Sequence, residues 1–455
     1  MAQRKITSSQ LLIASLMQIL ALTTACGGGD GAKGSADAGS GGTSGMTSSE
    51  GGTATDTGGT GPGIEDGEGG TTNVGGSETG TPTSAPEFEG VDVESVPLEP
   101  TPGCVGGYDA DAKSLALDIE EVNHSILIDA PEGYFRANGQ VCTTADGTPM
   151  LAAEAEHLAI NGSDADDVAI IDLLAGDLGN GLLGSDGAIT LDLAGGSDKL
   201  VVRGTRGDDH MACMSTTSMP DSALRIDWGS SAHSLKATGL ESILVSLGPG
   251  NDSFDGAESS LRCNAVLEIY GGADGDMLQG GSRDDVLNGG DGNDEFQMST
   301  SNDGADVING GADDDVISYA RRSKDLLIRL CSAPSPTGCP AGECTCVKES
   351  GETNERDVIV NVEDAEGGGG NDTLFGDAGP NVLSGKDGND RVQGLGGEDQ
   401  LYGEAGDDTL LGGADGDILI GGSGKNELDG GDGDDICFIS PRDTKKACET
   451  PVDVQ

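Results

Sequence analysis

The chain is poor in aromatic residues, basic residues and histidines. Aromatic side chains make up 3% of its 455 residues, and 24 Lys and Arg stand against 80 Asp and Glu, for a formal net charge of −56. With so few aromatic residues, a close-packed core cannot extend through most of the length. Nucleic acid is excluded as a partner, because phosphate binding needs basic patches.

The sequence also lacks the short motifs of common catalytic sites. It has no G-x-S-x-G elbow, no H-E-x-x-H pair and no P-loop. Its histidines are scattered and suit surface or turn positions better than catalytic ones: His124, His157, His210 and His233. We therefore expect no enzymatic activity. The alternative is a carbohydrate-active enzyme (lyase, epimerase or hydrolase) with its site within 89–270, which a single tryptophan, Trp228, disfavours.

Negative charge is what the chain has in excess. Clustered carboxylates repel one another until a hard multivalent cation such as calcium, which prefers oxygen ligands, lies between them. Composition alone fits an acidic disordered chain as well. The repeats described below favour the calcium-binding interpretation.

The N-terminus resembles the signal of a bacterial lipoprotein. Arg4 and Lys5 precede the apolar run LLIASLMQILAL at 11–22, which is too short to span a bilayer and fits a secretory signal. The sequence TTAC follows, and the resemblance implies that Cys26 is acylated and anchors the mature protein in a membrane. Ordinary cleavage with an unmodified Cys26 is the alternative. The expected address is the outer membrane or cell surface, with secretion to the extracellular medium as the alternative.

Composition divides the rest of the chain into segments. Residues 27–88 are rich in Gly, Ser and Thr and predict a disordered tether with a reach of about 40 to 50 Å. Downstream we expect a small β-rich cap at 89–150, a degenerate β-solenoid at 151–270, a first repeat array at 271–318, a cysteine-rich insertion at 319–366, a second array at 367–438 and a C-terminal cap at 439–455.

Nonapeptide repeats dominate the second half of the sequence. Residues 367–438 divide without a gap into eight copies, from GGGGNDTLF to GGDGDDICF, and five more copies occupy 271–318 with three extra residues after the third. The pattern G-G-x-G-x-D-x-U-x resembles that of RTX (hemolysin-type) calcium-binding repeats. The resemblance implies an all-β fold, a right-handed parallel β-roll, in which two nonapeptides make one turn and calcium lies between loops n and n+2.

Each place in the repeat has a physical role. Glycines at places 1, 2 and 4 permit tight turns that aim carbonyl groups at an ion. Place 6 supplies a carboxylate, and places 7–9 form a short strand with the apolar residue at place 8 pointing inward. The stacked aspartates should repel one another without calcium, so we expect folding to be coupled to ion binding.

The resemblance makes the residues at place 6 the candidate calcium ligands: Asp276, Asp285, Asp294, Asp306, Asp315, Asp372, Asp390, Asp399, Asp408, Asp417 and Asp435, with Asn381 and Asn426 as weaker ones. In the second array, one edge would carry 372, 390, 408 and 426, and the other 381, 399, 417 and 435. Four stronger sites are expected at 372/390, 390/408, 399/417 and 417/435, and two weaker ones at 408/426 and 381/399.

Weaker echoes of the motif occur upstream. They are NGSDADDVA from 161, LAGGSDKLV from 193, GTRGDDHMA from 204 and LGPGNDSFD from 247. Asp209 and Asp252 are the weaker calcium candidates here. A solenoid packed by side chains without metal is an equally good interpretation of this region.

Ten cysteines remain besides Cys26, an even number that suits an exported, oxidised protein. Their spacing suggests Cys104 with Cys142, Cys213 with Cys263, Cys437 with Cys448, and two bridges among Cys331, Cys339, Cys344 and Cys346. These last four could instead bind zinc. They lie in the insertion, whose flanks LLIRL and DVIVNV predict strands. The sequence identifies no polysaccharide or protein partner.

Overall fold

The computed structural model describes residues 101–119, 124–174, 178, 189–215, 224–228, 233–257, 262–332, 350–353 and 355–453. The predicted signal peptide, Cys26, the tether at 27–88 and three of the cysteines, Cys339, Cys344 and Cys346, lie outside these residues.

Short strands account for almost all regular structure in the described residues, with two single-turn 3-10 helices at Pro131–Gly133 and Ala152–Glu154. The strands are β1 (Ser114–Asp118), β2 (Ser125–Asp129), β3 (Arg136–Ala137), β4 (Gln140–Val141), β5 (His157–Asn161), β6 (Val168–Asp172), β7 (Ile189–Asp192), β8 (Lys199–Arg203), β9 (His210–Ser215), β10 (Leu224–Trp228), β11 (His233–Thr238), β12 (Ser242–Pro249), β13 (Ser253–Asp255), β14 (Val266–Ala273), β15 (Met277–Gln279), β16 (Val286–Asp291), β17 (Glu295–Gln297), β18 (Val307–Ala312), β19 (Val316–Ser318), β20 (Leu326–Arg329), β21 (Gly351–Glu352), β22 (Val358–Val360), β23 (Asp364–Glu366), β24 (Thr373–Phe375), β25 (Val382–Ser384), β26 (Arg391–Gly396), β27 (Gln400–Tyr402), β28 (Thr409–Ala414), β29 (Ile418–Ile420), β30 (Glu427–Asp432), β31 (Ile436–Ile439), β32 (Thr444–Lys446) and β33 (Thr450–Asp453).

These strands form a solenoid with one long wall and two shorter ones. The long wall is a 16-stranded sheet ordered β1-β5-β7-β11-β10-β9-β13-β15-β17-β19-β23-β25-β27-β29-β31-β33. The shorter walls are a 10-stranded sheet, β22-β18-β16-β14-β12-β8-β6-β2-β3-β4, and a 7-stranded sheet, β21-β20-β24-β26-β28-β30-β32. In the repeats, consecutive strands alternate between the long wall and a shorter one, so the predicted all-β parallel solenoid is confirmed.

The apolar residues at place 8 form the core of the second array. They stack in two in-register ladders, Leu374, Val392, Leu410 and Leu428 on one wall and Leu383, Leu401, Leu419 and Cys437 on the other. All eight are fully buried. Burial of each leucine contributes about 1.5–3 kcal/mol, which three-residue strands require because they are too short to be stable alone.

Parallel pairing begins inside 89–150, the segment predicted as a small β-rich cap. β1 pairs with β5 and β2 with β6, both in parallel. The antiparallel β3–β4 hairpin lies at the end of the 10-stranded sheet. A second antiparallel element, β10, lies between β9 and β11 in the long wall.

The chain order is inverted at the insertion. β20 pairs with β24 in the 7-stranded sheet, whereas β22, which comes later in the sequence, pairs with β18 and ends the 10-stranded sheet. Both flanks predicted as strands are therefore strands. The insertion lies where one short wall stops and the next starts.

Three of the predicted disulfides are formed: Cys104–Cys142, Cys213–Cys263 and Cys437–Cys448. Cys437 is fully buried at place 8 of the last repeat, and its strand β31 pairs with β33 of the C-terminal segment. The Cys437–Cys448 bridge therefore ties that segment to the last repeat. Cys331 is half-buried, and its three predicted partners lie outside the described residues.

Candidate metal centres

The aspartates of the second array form two hydrogen-bonded ladders at the turns. In each step the main-chain N–H of one residue at place 6 donates to Oδ1 of the residue eighteen positions later. On one edge the steps are Asp372 to Asp390 (2.8 Å), Asp390 to Asp408 (2.9 Å) and Asp408 to Asn426 (2.9 Å). On the other they are Asn381 to Asp399 (2.8 Å), Asp399 to Asp417 (2.9 Å) and Asp417 to Asp435 (2.8 Å). Each of these eight residues thus lies on the edge expected for it.

The first array forms two ladders of the same kind despite its three extra residues. Asp276 donates to Asp294 (2.8 Å), eighteen residues on, whereas Asp294 donates to Asp315 and Asp285 to Asp306 (both 2.9 Å), twenty-one residues on. The extra residues are therefore accommodated in one turn without breaking either ladder.

The ladder reaches upstream into the degenerate solenoid. The N–H of Asp209 donates to Oδ1 of Asp252 (2.6 Å), and that of Asp252 to Oδ1 of Asp276 (2.8 Å). The two weaker upstream candidates thus share a stack with the first array. Asp167 and Asp198 make the same contact (2.8 Å).

Several ladder residues were missed by the sequence analysis. The sequence contained a signal for Asp198, because this residue holds place 6 of the weaker repeat LAGGSDKLV. Asp167 corrects the register of the echo at 161: Asp167, not Asp166, takes place 6, so that repeat begins at Gly162. Five further residues lie outside any repeat and accept from the last aspartate or asparagine of a stack: Glu241, Asp357, Glu363, Asp443 and Glu449.

The second carboxylate oxygen at place 6 is buried. Among the described residues, no donor lies within hydrogen-bonding distance of Oδ2 in Asp198, Asp252, Asp276, Asp294, Asp306, Asp315, Asp390, Asp408, Asp417 and Asp435. A buried anionic oxygen without a partner is costly. The row of such oxygens fits a hard cation that takes oxygen ligands, as calcium does.

The two asparagines differ from the aspartates at this oxygen. Nδ2 of Asn426 is buried without an acceptor among the described residues, and a Cβ on Gly421 would lie 2.6 Å from it. In Asn381, Oδ1 accepts from the N–H of Asp377 (2.9 Å) and Nδ2 donates to the carbonyl of Glu363 (2.7 Å). Neither offers the anionic oxygen that aspartate supplies.

Two glycines of these turns leave no room for a side chain. At place 1, a Cβ on Gly412 would lie 2.2 Å from Oδ2 of Asp417. At place 4, Gly406 has φ +148°, and a Cβ there would lie 1.4 Å from the carbonyl oxygen of Gly388, one turn below. The turns therefore bring main-chain carbonyl oxygens together next to the carboxylates.

In the absence of an ion, burial and neighbouring carboxylates raise the pKa of the aspartates at place 6. Burial, followed by repulsion from neighbouring carboxylates, raises the pKa of Asp276 to about 8 and of Asp306 and Asp315 to about 9, although main-chain hydrogen bonds oppose the shift. In the second array the same causes raise the pKa of Asp390 to about 7 and of Asp417 to about 6. A cation between the carboxylates would favour their charged form.

The atoms that could hold an ion at these turns are oxygens, from main-chain carbonyls as well as from carboxylates. Within the described ranges, no three His, Cys, Asp or Glu side chains converge as a metal site made by side chains alone. An ion at these turns would therefore be held by the carboxylates at place 6 together with main-chain carbonyls, which suits calcium better than zinc.

Comparison with known families agrees with this chemistry. The family model of the RTX calcium-binding nonapeptide repeat matches residues 270–296, 300–320, 366–401, 384–419 and 411–438. These segments are RTX repeats. RTX repeats bind Ca²⁺, so calcium binding is the function they carry. No curated protein sequence matches the chain. Over the part of the chain that the structure describes, no helix is long and apolar enough to cross a membrane.

Proposed function

We propose that the protein is an exported lipoprotein, anchored in the outer membrane or at the cell surface through Cys26, in which calcium-loaded repeats form a stiff rod with a structural or adhesive role. Its other address would be the extracellular medium, if Cys26 is not acylated. The proposal includes no catalytic step.

The observation that carries this proposal is the row of buried Oδ2 atoms without donors along both edges. Such a row needs cations between its carboxylates, and extracellular calcium modules bind calcium at about 0.1–1 mM. A protein of this kind would fold fully only after export. The bridges Cys104–Cys142, Cys213–Cys263 and Cys437–Cys448 support the same compartment, because disulfides persist in oxidising environments.

The predicted tether at 27–88 supports a role at the cell surface. A flexible, Gly-rich chain of this length would hold the solenoid away from the membrane, where a strongly acidic protein meets other cells or polymers. A partner bridged by divalent cations, or one with basic groups, suits that surface.

Membrane anchoring is tested by replacing the acylation cysteine. Cells expressing Cys26→Ser and the parent are labelled with a fatty-acid probe and fractionated. We expect the parent to carry label and to sediment with membranes, and the variant to lose both properties. Thr24→Ser, two residues away, is the matched control and should behave as the parent does. An unlabelled parent would contradict the anchoring while leaving calcium binding intact.

A further inference from the structure

One arginine is fully enclosed at the junction between the two repeat arrays. Arg322 lies between β19 and β20, and its side chain has no exposed surface. Nη2 donates to Oδ1 of Asp303 (2.6 Å), Nε donates to the carbonyl of Ser299 (2.9 Å), and Nη1 pairs with Glu355. The guanidinium also lies over the ring of Tyr319, 4.9 Å from its centroid. A single buried cation thus has two buried carboxylate partners.

Asp303 makes one of the contacts of an aspartate at place 6, although Asp306 holds that place in the ladder. If the register of the repeat at 289–297 continues without interruption, Asp303 falls at place 6 of the next nonapeptide and Ser299 at place 2. The N–H of Ser299 donates to Oδ2 of Asp303 (3.1 Å). Two ordinary repeats show the same contact between places 2 and 6, Gly281 with Asp285 and Gly368 with Asp372 (both 2.7 Å). In Asp303, however, Oδ1 accepts from Arg322.

Glu355 lies one turn above Asp303, beside the ladder step from Asp306 to Asp357. In the ladders, the N–H of one aspartate donates to the carboxylate one turn above, and the N–H of Asp303 approaches Oε1 of Glu355 at 3.4 Å. Arg322 therefore lies between carboxylates of two successive turns. At the other turns, the proposed calcium ion lies between such carboxylates.

Arg322 also connects the two arrays. Its carbonyl oxygen accepts from the N–H of Gly369 (2.8 Å), in the first turn of the second array, while its side chain holds a turn of the first. The RTX matches stop at 320 and resume at 366, on either side of this residue. Glu355 lies in the insertion, so the ion pair also fixes the returning chain just before β22.

We propose that Arg322 is a built-in cation that replaces calcium at the junction, so that this turn stays folded when calcium is removed. The guanidinium keeps its charge at every calcium concentration. The inference rests on calcium binding by the flanking repeats. It makes the junction a permanent connection between two arrays that load and release calcium.

Hydrogen–deuterium exchange of the full chain, in calcium and in chelator, tests the proposal. In chelator we expect main-chain amides of 299–306 and 350–357 to exchange at least about tenfold more slowly than those of 386–420. Arg322→Met should remove this difference in chelator, because Asp303 and Glu355 then lack a cation. Arg321→Met is the matched control: Arg321 contacts Gln279 and Gln297 at the surface, and its loss should leave junction protection unchanged.

The outcomes distinguish calcium binding by the repeats from the role of Arg322. If 386–420 shows no calcium-dependent protection, calcium binding itself is wrong. If it does, but 299–306 and 350–357 in the parent lose protection together with it in chelator, only the role of Arg322 is wrong. The comparison within the parent chain stands even if the Arg322 variant fails to fold.

Discussion

Replacement of Gly406 by alanine tests whether close stacking of the turns holds the second array together. Gly406 has φ +148°, where residues with a side chain cost about 1–3 kcal/mol. The added Cβ would lie 1.4 Å from the carbonyl oxygen of Gly388, so the two turns must separate, and overpacking of this kind costs about 1–3 kcal/mol more. We expect Gly406→Ala to lower the free energy of unfolding by about 2–6 kcal/mol.

Gly379 is the matched control, since it holds the same place in another repeat of the array. Its φ is not positive, and the nearest atom to an added Cβ is Oδ1 of Asp377 at 3.4 Å. We expect Gly379→Ala to change stability by no more than about 0.5 kcal/mol. Urea unfolding in saturating calcium, followed by circular dichroism, measures both. Equal effects of the two substitutions would refute the stacking argument.

Other predictions concern the number of bound calcium ions, the pH dependence of stability and the disulfide at the C-terminal end of the solenoid. Asp417→Asn should weaken the sites at 399/417 and 417/435 and lower the number of calcium ions counted by calorimetry. Asn426→Asp should instead strengthen the weak site at 408/426. Unchanged ion counts in both variants would show the ladder assignment to be wrong. In chelator, the ion-free fold should lose stability as pH rises from about 4 to about 9, because the raised pKa of Asp306 makes the folded chain bind protons that the unfolded chain has released. Circular dichroism in chelator should therefore show more β-structure at about pH 5 than at about pH 8.5, and the opposite order would contradict this prediction. Cys448→Ser should increase exchange at β31 and β33 in calcium without affecting 386–400, and uniform exchange throughout would contradict an end-specific role of the bridge.

The nine-residue period predicted much of the site because it specifies two things at once. A leucine at place 8 of each repeat, such as Leu401, must face inward, and an aspartate at place 6, such as Asp399, must then lie at the turn. Parallel stacking with two repeats per turn is what the resemblance to RTX repeats implies, and it allowed the edges of the second array to be assigned residue by residue.

The ends and the junction could not be predicted, because the period stops there. Asp357, Glu363, Asp443 and Glu449 accept ladder hydrogen bonds but belong to no repeat, so only the folded chain brings them to the turns. The inversion of β20 and β22 depends on how the insertion returns, which local pattern does not encode. Arg322 has no motif around it and acquires its role from partners 19 and 33 residues away.

Calcium dependence of the fold is the central claim, and far-ultraviolet circular dichroism of the mature chain tests it most directly. Spectra are recorded at neutral pH in chelator and again after addition of calcium to about 1 mM, the range of extracellular modules. The account predicts a large gain of β-structure on addition of calcium, reversed by further chelator, with magnesium at the same concentration giving much less. Identical spectra with and without calcium would contradict it.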